Sequence, residues 1–452
     1  MKNVNPVYAE RRRRLAQTMT LAGGGVAILS SGQEVMRNRD SDYPFRWDSY
    51  FYYLTGFPEP DATVVIVAGD TEPRSLLFCR EKDPERETWD GFRYGPEAAA
   101  EIFSFDGAGT NAELDKAVTA ELANQAAVYY PLGNDRSIDE RVRQWLGDVR
   151  AQARTGTTAP AQAFDVHRLI DEMRLIKDDH ELGLMRRAAE ISANAHVRAM
   201  KICQPGLHEY EIEAELLHEF RSNGSQFPAY GSIVASGANA CVLHYRANDA
   251  AMREDDLLLI DAGCELNGYA SDITRTFPVN GKFTKGQREL YEIVLAAQQA
   301  SIDVTRPGSD FNTPHEAAVK VLVQGMLDTG LLSGSLDEAL ESGSYRRFYM
   351  HRTGHWLGMD VHDCGDYRER GGPHNRSDNS DEGPPWRQLQ PGMVLTVEPG
   401  IYVRAAQDVP ERFHDVGIRI EDDAVITDQG CEIITSSVPK DADQIERLMK
   451  SR

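Results

Sequence analysis

The chain has 452 residues, 41% of them hydrophobic, which is enough for two or three domains with sizeable cores. Its 49 Lys and Arg stand against 71 Asp and Glu, a formal charge of −22 whose field repels phosphate backbones and anionic lipid and so excludes nucleic acid and membrane surfaces as partners. No apolar run reaches membrane-spanning length, and the six cysteines lack zinc-knuckle or CxxC spacing, as suits free thiols in a reducing cytosol.

The first element is "ERRRRLAQTMTLAGGGVAILSSG". Gln17, Thr18, Thr20 and three glycines interrupt its apolar run, and no clear cleavage site follows. The stretch predicts a basic amphipathic helix leading into the strand "GVAIL" rather than a secretory leader. "ATVVIVAG", "RSLLFCR" and "AAVYYPLG" predict short buried strands, and "PEAAAEIFSF" and "SIDERVRQWLGDVRAQA" predict helices. That alternation reads as an α/β domain over residues 1–172, with "RTGTTAPAQAF", 154–164, as a loop near its end.

The second domain, 173–452, opens with a helical stripe of Leu182, Met185, Ala188, Ile191, Ala195 and Ala199, ended by Pro205-Gly206. "EYEIEAELLHEFRSNG" is a second helix, and strands follow. The order then repeats. Thr284 and Gln287 stand in capping-box spacing before one helix, and Thr313, Pro314 and Glu316 open the next. "GMVLTVEPGIYV" and "GIRIEDDAVIT" are strands after them. Two helices followed by carboxylate-bearing strands, twice, predict an internal duplication. Residues 364–392, crowded with Gly, Pro, Asn, Ser and charge, form a long loop of the functional or disordered kind.

"LLLIDAGCELNGYASDITRTFPV", 257–279, carries the chemistry. Asn267-Gly268 is a preferred type I′ turn between apolar-rich runs. With that turn Leu266 pairs with Tyr269, Asp261 faces Thr274, and Asp261 and Asp272 become diagonal neighbours on one face. Two solvated acids would explain this hairpin alone, but the pattern recurs. Glu398 and Glu421 are again acids at the ends of apolar strands, and between the hairpins lies "YMHRTGHWLGMDVHD", with His351, His355 and His362. Gly354 and the absent Glu argue against a zincin helix. Three histidines beside four isolated acids point to a site. Four ionised carboxylates balance two divalent cations, whereas one cation would leave two acids uncompensated. A hard, oxygen-rich shell suits Mn²⁺, with Co²⁺, Fe²⁺ and Zn²⁺ as substitutes.

"IDAGCELNGYASDITRTF", "HRTGHWLGMDVHD", "LTVEPGIY" and "GIRIEDD" resemble the ligand motifs of the pita-bread metallopeptidases, the family of aminopeptidase P, prolidase and methionine aminopeptidase. "YPFRWDSYFYYLTGF" resembles the opening segment of the aminopeptidase P amino-terminal domain, so the resemblance covers nearly the whole chain. It implies an α/β amino-terminal domain before an α+β pita-bread catalytic domain with a pseudo-two-fold duplication. It implies that Asp261 binds one metal only, that Asp272 and Glu421 bridge two, and that His355 and Glu398 complete the other. It implies attack by a metal-bridging hydroxide, with Glu398 as proton acceptor and His362 polarising the substrate carbonyl. His244 would line the cleft. His351 and Arg419 would shape the proline pocket, with Tyr402 and Tyr230 as further substrate-binding residues. Arg419 reads equally as a neutraliser of the acids, and Trp89 reads as packing.

The implied activity is release of the amino-terminal residue from peptides with proline second, in a cytoplasmic homo-oligomer, dimer or tetramer. A prolidase restricted to Xaa-Pro dipeptides stays open, because residues 364–392 look longer than in typical bacterial aminopeptidase P. A non-catalytic binding module on the same fold, or a creatinase-like hydrolase, would be expected to lack ligands, and none of the five positions is missing.

Overall fold

The structure, a computed structural model, describes residues 6–69, 72–369 and 384–451. Of the 364–392 loop, residues 370–383 lie outside the described residues. The chain divides into two compact units, Met1–Met173 and Arg174–Arg452.

The first unit is built on a mixed sheet of β1 (Gly25–Ser30), β2 (Thr63–Ala68), β3 (Arg74–Cys79), β4 (Gly107–Thr110), β5 (Ala127–Tyr130) and β6 (Gln162–Asp165), in the order β4-β3-β2-β1-β5-β6. β1, β2 and β3 pair antiparallel, β1 and β2 across a connection that carries the helix Ser49–Thr55, while β4, β5 and β6 join by parallel crossovers. The "VVIV" run of β2 is buried throughout, as a strand covered on both faces requires. Strand β6 begins within the stretch read as loop and runs one residue past it, because its Thr/Ala/Pro-rich lead-in hides a four-residue edge strand.

The basic opening helix spans Val7–Leu21, but only Arg13 and Arg14 face solvent; Arg11 and Arg12 are buried. Arg12 donates to the carbonyls of Leu54 (2.9 Å), Phe103 (2.9 Å) and Ser104 (2.6 Å), in the last turns of helices Ser49–Thr55 and Gly95–Phe103. One guanidinium thus satisfies carbonyls that two helix ends leave without partners. Trp89, read as packing, is instead 82% exposed.

In the second unit, helix Asp179–Ile202 begins at Asp178 and Glu181, whose side chains cap each other's backbone N–H, and its predicted stripe is buried except for the half-buried Leu182. Helix Glu209–Ser222 follows. After the first strands, helices Lys285–Val304 and Thr313–Asp328 repeat the pair. The Thr284–Gln287 box forms as expected. The Thr313–Glu316 box does not. Asp310 accepts the Thr313 N–H at 2.9 Å and that of Asn312 at 2.9 Å, so an acid three residues upstream takes the capping role.

The strands are β7 (Phe227–Pro228), β8 (Ile233–Ser236), β9 (Leu257–Asp261), β10 (Cys264–Leu266), β11 (Tyr269–Ala270), β12 (Thr274–Pro278), β13 (Val394–Val397), β14 (Gly400–Val403), β15 (Val416–Arg419), β16 (Asp422–Ile426) and β17 (Cys431–Ile433). The first hairpin has the predicted register: Leu266 pairs with Tyr269 and Asp261 with Thr274, around Asn267 and Gly268 at φ 50° and 83°. It is cut in the middle, however. A Cβ on Gly263 would lie 1.7 Å from the Ser271 carbonyl oxygen, and at this close crossing the ladder passes from the β8-β9-β12 sheet to β7-β10-β11. The second set breaks likewise, between β13 and β14 at Glu398 and between β15 and β16 at Glu421. All four acids stand at strand ends or interruptions, where the backbone is free to turn their side chains together.

Candidate metal centre

Asp261 ends β9, Asp272 precedes β12, Glu398 follows β13, and Glu421 precedes β16. His355 comes from the irregular segment before β13, stitched to that strand by the Thr396 N–H to His355 carbonyl bond of 3.0 Å. Gly354 permits this approach, since a Cβ there would lie 2.1 Å from the Thr396 carbonyl oxygen. Ligand atoms of Asp272, His355 and Glu421 all lie within 4.8 Å of one another, and all three residues are buried. Nε2 of His355 is 3.5 Å from Asp272 and 3.8 Å from Glu398. The Tyr230 hydroxyl contacts Asp261 at 2.5 Å and also contacts Asp272, joining the fourth acid to the cluster.

The electrostatics are those of a cation site. Burial, then the neighbouring acids, raises the proton affinity of Glu421 well above the usual carboxylate range, and burial likewise raises that of Asp272. Burial raises Glu398 to about 7 against the pull of His355 and Arg419. For His355, burial works against the charge, but the hydrogen bond to Asp272 and the field of Glu398 overcome it and lift the imidazolium to about 9. A phenol carries one hydrogen, so Tyr230 cannot satisfy two ionised carboxylates. These residues need protons or cations between them. A divalent ion fits, because Nδ1 of His355 lies 2.9 Å from the Trp356 carbonyl, which selects the tautomer whose Nε2 lone pair faces the acids.

Around this cluster is a cleft of about 640 Å³. It is bordered by Tyr230, His244, Asp261, Asp272, His351, His355, His362, Glu398, Arg419 and Glu421, ten of the eleven residues singled out in the sequence. Tyr402 is the exception: it is buried behind the wall, its hydroxyl 2.8 Å from Nε2 of His351 and 3.0 Å from Nη1 of Arg419. Burial, and then the facing Arg419, hold His351 deprotonated down to about 3. His362 stacks on His355, ring centroids 4.0 Å apart, and partial desolvation followed by the His355 and His244 imidazoles pushes it down to about 4. Arg419 meets Asp261 at 2.5 Å, Tyr402, and Thr274 at 3.1 Å, which makes it at once a neutraliser and a wall of the cleft.

One residue escaped the sequence reading. Asp423, fully buried, accepts the Asp272 backbone N–H at 3.1 Å, so it steers a cluster acid from behind. The available signal was the triple acid "EDD", of which only Glu421 was used. The adjacent Asp422 belongs to a separate buried network with Arg275 and Lys440.

Residues 183–428 match the profile of metallopeptidase family M24, and residues 8–129 match the aminopeptidase P amino-terminal domain. The chain is 44% identical over 440 residues to the Xaa-Pro aminopeptidase of Escherichia coli, covering 97% of each. Its fold superposes on the Pseudomonas aeruginosa aminopeptidase PepP with a TM-score of 0.94 and 46% identity, over 100% of this chain and 99% of that one. Against the zinc-substituted aminopeptidase P of E. coli in complex with product, the values are 0.93 and 43%, over 100% and 99%. The chain belongs to metallopeptidase family M24, with a pita-bread catalytic unit that follows, in sequence, an amino-terminal domain of the aminopeptidase P type.

Proposed function

We propose that the protein is an Xaa-Pro aminopeptidase, releasing the amino-terminal residue from peptides whose second residue is proline. The observation that carries this reading is the gathering of four acids and one imidazole at one cleft, in a chain similar end to end to Xaa-Pro aminopeptidases. That full-length kinship favours it over a prolidase, and the complete donor set favours it over a non-catalytic module.

Asp261, Asp272, His355, Glu398 and Glu421 would hold two divalent ions, with Mn²⁺ suited to so hard a donor set. When bound, such ions supply a water-derived nucleophile at neutral pH and polarise the scissile carbonyl. The protein's own residues do the rest. An X–Pro amide has no N–H, so the ring is recognised by shape. His351, held neutral and fixed through Tyr402 to Arg419, supplies a rigid wall for it. Glu398 borders the cleft beside His355, where its carboxylate is placed to take and return a proton. His362, neutral at pH 7, and His244 border the cleft where they can hydrogen-bond the substrate carbonyl. Tyr230 orients Asp261 and Asp272.

Residues 1–172 are read as the amino-terminal domain and 173–452 as the catalytic one, in keeping with the two compact units. A cytoplasmic location is supported by six free thiols. Among the described residues no helix is long and apolar enough to cross a membrane. A homo-oligomer, dimer or tetramer, is supported by the exposed Trp89 and Phe92, apolar surface that self-association would cover.

The test is the purified protein with Mn²⁺ against an X-Pro-Pro peptide and an X-Pro dipeptide, with products identified by mass. Release of the first residue from the longer peptide is expected. Cleavage of the dipeptide alone would turn the reading to prolidase.

A further inference from the structure

The cleft has a second electrostatic layer that the metal cluster does not explain. Its acids point inward and are largely buried, whereas its exposed rim carries Arg246 and Arg352. In a chain of net charge −22, spare cations beside a substrate cleft stand out. Arg246 has no hydrogen-bond or ion-pair partner among the described residues, and its Nη1 lies over Gly231, next to Tyr230, where an added Cβ would sit 2.9 Å away. Arg352 has no carboxylate partner among the described residues either. Its guanidinium carbon lies 4.7 Å from the centre of the Trp386 ring, and one nitrogen donates to the Asn312 side-chain carbonyl. Arg368 lies 4.0 Å from the centre of the same ring. Arg352 is therefore held by the Trp386 ring and Asn312, with Glu316 acting on it only at a distance and no direct ion pair among the described residues.

An exopeptidase takes the substrate's free amine toward the metal centre, so the rest of the peptide leaves through the mouth. The rim arginines meet that leaving part. We infer that Arg246 and Arg352 select peptides that carry a carboxylate shortly after the proline. The carboxylate belongs to an acidic side chain at position three or beyond, or to the carboxyl terminus of a tripeptide. This rests on the aminopeptidase reading and names a substrate class for it.

The experiment compares kcat/KM for amidated Ala-Pro-Glu-Ala and Ala-Pro-Gln-Ala, and for Ala-Pro-Ala as free acid and as amide. Glu-Pro-Ala-Ala against Gln-Pro-Ala-Ala, both amidated, varies position one. A partly exposed ion pair predicts an advantage of roughly twofold to fivefold for the charged member of the first or second pair, shrinking as salt is added. An advantage in the first pair identifies the side chain as the source, and one in the second identifies the terminus. The double variant Arg246→Gln/Arg352→Gln should bring the ratio close to one, and Arg246→Glu should lower it further. Because each ratio is taken within one variant, general damage to catalysis cancels. A wild-type ratio of one in both pairs, a preference confined to position one, or a ratio untouched in the double variant overturns the inference. No cleavage of any of these peptides would instead overturn the aminopeptidase reading.

Discussion

Arg419 lies against Asp261, Nη2 2.5 Å from Oδ2, so a permanent cation shares an acid that is also read as a metal ligand. The pair is almost fully buried, and Arg419 also holds Tyr402 and Thr274. Removing one partner of such a pair leaves an uncompensated charge in a poor dielectric. Arg419→Ala is expected to cost the metal-free protein about 3–5 kcal/mol of stability. It should also lower turnover by roughly 10- to 100-fold while bound metal is retained. Chemical denaturation and metal analysis check this, and loss of the metal together with the activity would mean that Arg419 shapes the donor set itself.

Asp272 occupies the centre of the cluster, sharing contacts with Tyr230, His355 and Asp423. Asp272→Ala should remove metal binding and activity together while leaving the fold, since the core of this unit is built elsewhere from its helices and strands. Metal per chain, measured beside circular dichroism, reads both. Unchanged turnover with excess Mn²⁺ would dismantle the site.

Most of this arrangement was legible because it depends on local rules. The Asn267-Gly268 turn fixes the register, and with period two the register fixes which residues share a face, so Asp261 and Asp272 were placed together correctly. Hidden features depend on contacts between distant segments. Four consecutive arginines look like a solvated face until two helix ends supply carbonyls for Arg12. Thr313 looks like a cap until Asp310 folds back to accept the N–H groups of Asn312 and of Thr313 itself. The break at Gly263 is a crossing of two strands, which an apolar pattern alone does not register. Tyr402, expected among the substrate-binding residues, lies behind the wall of the cleft, its hydroxyl on His351 and Arg419.

Asp423 offers a sharper test of that inner layer. Its Oδ2 holds the Asp272 N–H, and burial, followed by the charge of Asp272, pushes its own carboxyl well above the usual range. Replacing it by alanine leaves that backbone donor buried and lets Asp272 rotate. Asp423→Ala should weaken metal affinity or activity about 10- to 100-fold, as loss of a group that orients a ligand does. Asp423→Asn keeps the acceptor and should recover most of it. Competition with a fluorescent chelator gives the affinity. Equal defects in both variants would assign the role to charge rather than to positioning.

The same cluster fixes how stability depends on pH without metal. Glu398 is raised from 4.5 to about 7, and His355 from 6.5 to about 9. Groups whose folded proton affinity exceeds the unfolded one stabilise below the unfolded value and lose that contribution as pH climbs through the folded value. The metal-free protein should therefore lose stability between pH 6.5 and 9. The window starts there because the depressed histidines, His351 near 3 and His362 near 4, act in the opposite sense below it. Binding a cation requires that the acids shed their protons and that the Nε2 lone pair of His355 be free, so affinity should rise and protons should be released over the same range. Denaturation midpoints with and without Mn²⁺, beside calorimetry in two buffers of different ionisation enthalpy, measure both effects. Stability of the metal-free chain that rises from pH 6.5 to 9, or binding with no proton release, would show that these side chains are already ionised before a cation arrives.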